Sequence, residues 1–199
     1  MRPSLVALAL FVQAALPAAS LAQSTQAPVS IGYFEAIAQE APPVVGETYS
    51  LRHCIMHEKG EHVATNYWKG ELTPINTKVK LVSMKGKTIK LQVVDTGAEI
   101  KVTNVPDYTK KDLPTIARNM LTRTPVPIET FGEAMAANIR AGTLARGMTR
   151  EQVVMTRGYP PGHRTSSLDN EIWLFWHNRV AYFSYQFRDG VLVDGRDLK

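Results

Sequence analysis

From about residue 46 the apolar and polar positions alternate with a period of two, and the alternation predicts five short strands. Tyr49 to Met56 reads as the first and Val63 to Trp68 as the second, entered after a Glu58-Lys59-Gly60 turn. Residues 70–74 read as an irregular link. Lys78 to Met84, Thr88 to Val94 and Ala98 to Asn104 follow, separated by Lys85-Gly86-Lys87 and Asp95-Thr96-Gly97 turns. The period then becomes helical. Leu113, Ile116, Ala117, Met120 and Leu121 share one helix face, with Asp112 as N-cap and Pro114 in the first turn. A second helix carries Phe131, Ala134, Met135, Asn138 and Ile139 and stops at Gly142. A third starts at a Thr149–Gln152 capping box and stops at Gly158, ahead of Pro160-Pro161. Three aromatic-rich strands close the chain: Ile172 to His177, Val180 to Phe187 and Val191 to Val193. They are joined at Asn178-Arg179 and Asp189-Gly190. Both faces of these strands carry aromatic residues. One face is expected to pack on the helices, the other to be covered by the N-terminal module or a partner.

Upstream of this pattern, Ile31 to Ala38 reads as a short helix ended by Pro42-Pro43. Before it, Met1-Arg2, an apolar run from Leu5 to Leu16 and Ser20-Leu21-Ala22 fit a secretory signal peptide. The run is about 12 residues, too short to span a bilayer. Residues 1–22 are therefore expected to be removed and residues 23–45 to form a leader. Position 23 is Gln, so no lipid-anchor cysteine follows the cleavage site. The expected location is the periplasm or the exterior, with no transmembrane segment in the mature chain. The 199 residues are 44% hydrophobic and 21% charged, an ordinary globular composition. The formal charge of +5 is mild and scattered. It suits anionic lipid or glycan, and without an aromatic-interleaved basic groove nucleic acid is not expected.

Candidate chemistry is sparse. His53, Cys54, His57 and His62 are the best metal candidates. On one extended strand, however, His53 and His57 would face one side and Cys54 the other. Surface or structural histidines are the preferred reading, and no metal or cofactor is expected. Cys54 is the only cysteine, read as a buried small hydrophobe or as an intermolecular bridge. Ser166, Ser167, His163 and Asp169 are close in sequence but lack a nucleophile elbow. Asp189 and Asp194 flank a hairpin and do not make an acid pair, so no catalytic residue is assigned. The loop after the third helix is the candidate partner-binding site, through Tyr159, Pro161, His163 and Arg164. Lys78, Lys80, Lys85, Lys87, Lys90 and Lys101 mark the outer face of the β module, for solubility or for contact with anionic lipid or glycan.

Gly147-Met148-Thr149, Gly158-Tyr159-Pro160, Trp173 and Phe187-Arg188-Asp189-Gly190 resemble the SmpA/OmlA family, the BamE-like small envelope proteins. The likeness covers about a third of the chain and implies a periplasmic αα-βββ domain that binds protein or lipid near the outer membrane. The strand order of the N-terminal part is similar to bacterial SH3-like modules. The expected fold class is α+β: a small β module over 46–105, a bridging helix and linker over 106–127, and a BamE-like domain over 128–199. The expected function is a non-enzymatic binding or assembly protein of the bacterial cell envelope, supporting outer-membrane organisation and partnered by an envelope protein or anionic lipid or glycan. An enzyme-inhibitor module or a peptidoglycan-directed module is the alternative.

Overall fold

The computed structural model describes residues 32–178 and 180–199. The signal-peptide expectation, the leader up to residue 31 and Arg179 of the predicted turn lie outside them. The described chain is mixed α+β. Helix α1 (Gly32–Gln39) precedes β1 (Thr48–Leu51), β2 (Ile55–His57), β3 (Glu61–Val63), β4 (Glu71–Thr73), β5 (Lys78–Lys85), β6 (Thr88–Val93) and β7 (Glu99–Thr103). Then come α2 (Pro106–Thr109), α3 (Leu113–Met120), the two-residue β8 (Leu121–Thr122), a 3-10 turn (Ile128–Phe131), α4 (Glu133–Arg140) and α5 (Arg150–Arg157). The chain closes on β9 (Ile172–Trp176), β10 (Tyr182–Arg188) and β11 (Val191–Gly195).

Two hydrophobic cores organise these elements. A six-stranded sheet runs in the order β3-β7-β6-β5-β1-β8, antiparallel except for the parallel β3–β7 pair. The inward rows Val79, Leu81 and Ile89, Leu91, Val93 are covered by Leu113, Ile116, Ala117 and Met120 of α3. The alternation of buried and exposed positions along β6 is the reason its lysine, Lys90, faces water. All six lysines named above are exposed. The second core lies under the antiparallel β11-β10-β9 sheet, where Trp173, Phe175, Tyr185 and Phe187 meet Ile139, Met148, Val153 and Val154. Cys54 and Ile75, from loops of the first unit, are buried in this second core.

The caps read from the sequence are in place. The Asp112 carboxylate accepts from the Thr115 N–H at 2.9 Å, and Thr149 and Gln152 form a reciprocal capping box. Replacing Thr149 by Ala leaves the first turn of α5 with an unpaired N–H, so a loss of about 1 kcal/mol is expected in urea unfolding. An unchanged midpoint would show that the cap contributes nothing.

The first two predicted strands are corrected. The stretch from Tyr49 to Met56 breaks at residues 52–54, because these backbone groups bond elsewhere. The Arg52 N–H donates to the Met120 carbonyl at 2.8 Å, and the Cys54 N–H donates to the Met155 carbonyl at 3.0 Å. Arg52 Nε is held by the carbonyls of Arg118 and Leu121, each at 3.1 Å, and its guanidinium pairs with Glu40. The second strand ends at Val63, where a turn closes with Asn66 in a left-handed conformation (φ 65°). The link at 70–74 contains strand β4, which pairs with β2 in a separate ladder.

Candidate functional site

The predicted contact loop begins at Gly158, which ends α5 with φ +76°. A side chain there would meet Asn66 Nδ2 at 2.8 Å and the His53 ring at 3.0 Å, so both conformation and space require glycine. The loop then turns inward. The Tyr159 ring packs edge-on against Phe34 at 6.0 Å and His53 at 6.2 Å, and burial pushes its phenol well above the ordinary value. Pro160 and Pro161 are buried. The Pro161 carbonyl accepts from the N–H groups of Arg164 and Thr165, each at 3.0 Å, and this turn directs His163 and Arg164 outward. Of the four expected contact residues, Tyr159 and Pro161 pack inward, with Tyr159 half-buried, and His163 and Arg164 face the surface.

His163 and Arg164 join aromatic residues that the sequence reading had not placed together. The His163 N–H donates to the Tyr108 carbonyl at 2.9 Å, and its Nδ1 lies 3.1 Å from the same oxygen. The imidazole lies 4.8 Å from the Tyr108 ring and stacks on Trp176 at 6.0 Å with an interplanar angle of 10°. Trp176 meets Tyr182 edge-on at 5.8 Å. The Arg164 guanidinium lies 5.8 Å from the Trp176 ring and 5.9 Å from the Tyr182 ring. Three segments thus build one aromatic ledge: α2, the loop after α5 and the β9–β10 hairpin. Tyr108 remains 47% exposed and Tyr182 51%. The ledge lies on the outer face of the β9–β10 pair, because Trp176 and Tyr182 alternate with the buried Phe175 and its half-buried partner Phe183.

The loop approaches α2 closely. A Cβ on Gly162 would lie 2.6 Å from the Thr109 carbonyl. The α2–α3 connection is itself fixed by Asn104, whose Oδ1 accepts from the Thr109 hydroxyl at 2.7 Å and whose Nδ2 donates to the Lys111 carbonyl at 2.9 Å. The gap between loop and connection is a groove of about 420 Å³ lined by Lys110, Lys111, Tyr159, His163, Thr165 and Ser166, among others.

Behind Tyr159 and Lys111 lies a smaller cavity of about 30 Å³, which shares Thr109, Lys111, Tyr159 and Pro160 with the groove. A volume of that size holds roughly two waters. His53, His62, Asn66 and Asn119 line it together with the apolar Ala64, Ile116 and Met120. His53 Nδ1 lies 2.8 Å from the Cys54 carbonyl and His62 Nδ1 lies 2.7 Å from the Met56 carbonyl. A carbonyl can only accept, so each neutral ring carries its proton on Nδ1 and keeps a lone pair on Nε2. Burial pulls both imidazoles down to about 4, and mutual repulsion adds to the effect on His53. Asn66 Oδ1 and Asn119 Nδ2 are buried without a protein partner.

The metal candidates do not converge. Cys54 Sγ points into the second core, where it donates to the Ile139 carbonyl at 3.1 Å and accepts from the Ile75 N–H at 3.3 Å. Burial pushes this thiol up to about 11, and the surface bridge considered for it has no exposed sulfur to use. His57 Nε2 is bonded to the Thr73 hydroxyl at 2.9 Å. Among the described residues no group of three or more His, Cys, Asp or Glu is placed to hold a metal. Ser167 bonds Asp169 at 3.2 Å, while His163 is engaged with Tyr108. Asp189 is the left-handed first residue of the β10–β11 turn (φ 51°), and the Asp194 carboxylate pairs with Arg146 at 3.5 Å. Among the described residues no helix is long and apolar enough to cross a membrane. Comparison with protein-family models, curated proteins and solved structures returned no match.

Proposed function

We propose that this chain is a non-enzymatic binding protein of the bacterial cell envelope, and that the aromatic ledge is its partner-binding face. The observation that carries the reading is the convergence of Tyr108, His163, Arg164, Trp176 and Tyr182 from three segments onto one outer face. Tryptophan, tyrosine and arginine are the side chains that dominate binding energy at protein interfaces. Stacking against one another holds them in place before a partner arrives, which lowers the ordering cost of association.

The envelope assignment rests on the signal-like leader and on the resemblance of residues 128–199 to BamE-like domains. The helix, helix, strand, strand, strand order of α4, α5 and β9–β11 agrees with that resemblance. Residues 46–105 are read as an SH3-like module beside it. The protein is placed in the periplasm or outside the cell, where it supports outer-membrane organisation.

Affinity capture from envelope extracts tests the proposal. The purified chain should recover outer-membrane assembly proteins, and the Arg164→Ala/Tyr182→Ala variant should recover at most a tenth as much. Recovery of soluble enzymes alone would contradict the assembly role and favour an inhibitor module. Co-sedimentation with peptidoglycan instead would favour the cell-wall reading.

A further inference from the structure

We infer that the groove between the α2–α3 connection and the loop after α5 binds an acidic oligosaccharide, its charges on the lysine wall and its sugar faces on the ledge. The inference deepens the binding reading above and rests on it. Charge complementarity is its first support. Lys110 and Lys111 line the groove, Arg164 lies in the chain between its lining residues His163 and Thr165, and among the described residues no carboxylate lines either the groove or the cavity behind it. Lys111 lies 5.5 Å from the centroid of the Tyr159 ring and is partly desolvated there, with no carboxylate partner among the described residues. An anion entering the groove supplies that partner.

The second support is the demand for hydroxyl groups. The cavity shares Thr109, Lys111, Tyr159 and Pro160 with the groove and is lined by His53 and His62, each of which keeps an Nε2 lone pair. Asn66 adds an unpaired amide oxygen and Asn119 an unpaired amide N–H, and both side chains are more than nine-tenths buried. A hydroxyl both donates and accepts, so it can satisfy an acceptor and a donor of this lining together. A cation would meet Lys111 in a lining that holds no carboxylate. The small volume admits one hydroxyl or hydroxymethyl group, with the rest of the sugar in the groove.

The third support is shape. The exposed rings of Tyr108 and Tyr182 flank His163 and Arg164, and His163 also lines the groove, so the ledge adjoins it there. Aromatic faces of this kind offer apolar contact to the C–H faces of a pyranose while its hydroxyls stay hydrated. An acidic peptide would use the lysines but leave the hydroxyl-seeking interior unsatisfied.

The test titrates the full chain with a galacturonate hexamer, with neutral maltohexaose and with polyglutamate of matched charge, followed by calorimetry and amide chemical shifts. The galacturonate hexamer should bind at least tenfold tighter than either comparison ligand and shift the amides of Thr109, Lys111, His163 and Thr165. Lys110→Glu/Arg164→Glu should weaken it at least tenfold. Lys59→Glu/Arg188→Glu, which makes the same charge change at two exposed positions outside the groove lining, should not. No binding, equal binding of either comparison ligand, or equal loss in the two variants overturns the inference. Envelope capture that depends on Arg164 and Tyr182 while the hexamer fails to bind would leave the binding reading standing and remove only the glycan.

Discussion

Acidification from pH 7 to pH 5 is expected to weaken the fold by about 2 kcal/mol for each of two buried histidines, rising to about 3 kcal/mol each below pH 4. His53 and His62 hold pKa values of about 4 in the folded chain against an ordinary 6.5. Between those values the unfolded chain binds protons that the folded chain refuses, so stability is complete above pH 6.5 and falls as pH falls towards 4. Burial is the main cause for both rings. The charged groups facing them are unfavourable as well: Arg52 and His62 act on His53, His57 acts on His62, and Lys111 lines the same cavity. The Glu47, Asp112 and Glu129 carboxylates are held low by hydrogen bonds, chiefly from Tyr49, from Thr115 and from the backbone of Glu129 itself. Their support is lost only as pH falls below the ordinary carboxylate range, so the upper window belongs to the histidines. Urea unfolding at pH 7.5, 6, 5 and 4.5 checks this. A midpoint that stays constant down to pH 4.5 would refute it, and His53→Gln should flatten the curve by about half.

Trp173→Ala and Trp176→Ala, three positions apart on β9, are expected to differ sharply. Trp173 is 0% exposed and packs 4.7 Å from Phe187 and 6.4 Å from Phe175, so its truncation leaves a large cavity. A loss of about 3–5 kcal/mol is expected, enough to unfold much of the population at 37 °C. Its indole N–H has no protein partner, so the loss comes from packing alone. Trp176, on the opposite face, is half-buried under His163 and Arg164. Its truncation should cost only about 1 kcal/mol while removing the floor of the ledge. Equal losses in chemical denaturation would mean that the two faces of β9 do not differ as described.

The elements that local chemistry specifies could be read from the sequence. The Asp112 cap, the Thr149–Gln152 box, the Gly158 stop and the Asp189-Gly190 turn each depend on residues within a few positions. Period-two alternation likewise marked Ile89, Leu91 and Val93 as a core row. What escaped was long-range. The break at 52–54 arises from bonds to Met120 and Met155, and no residue near Arg52 announces it. The parallel pairing of β3 with β7 is of the same kind. At the site, a Pro-Pro pair beside an aromatic residue suggested a projecting loop, yet Tyr159 and Pro161 turn inward because the second core and His53 receive them. The contribution of Tyr108 was invisible for the opposite reason. It becomes part of the ledge only when the His163 backbone bonds its carbonyl across the fold.

Cys54, carried on a loop of the first unit, is buried in the second core, bonded to Ile75 on one side and Ile139 on the other. Its consequence is experimental as well as structural. A buried thiol held this far above its ordinary pKa reacts only from conformations in which the second core has opened around it. Because it is the only sulfhydryl in the chain, its rate of alkylation under native conditions is an internal clock for that opening, read without any label having to be introduced.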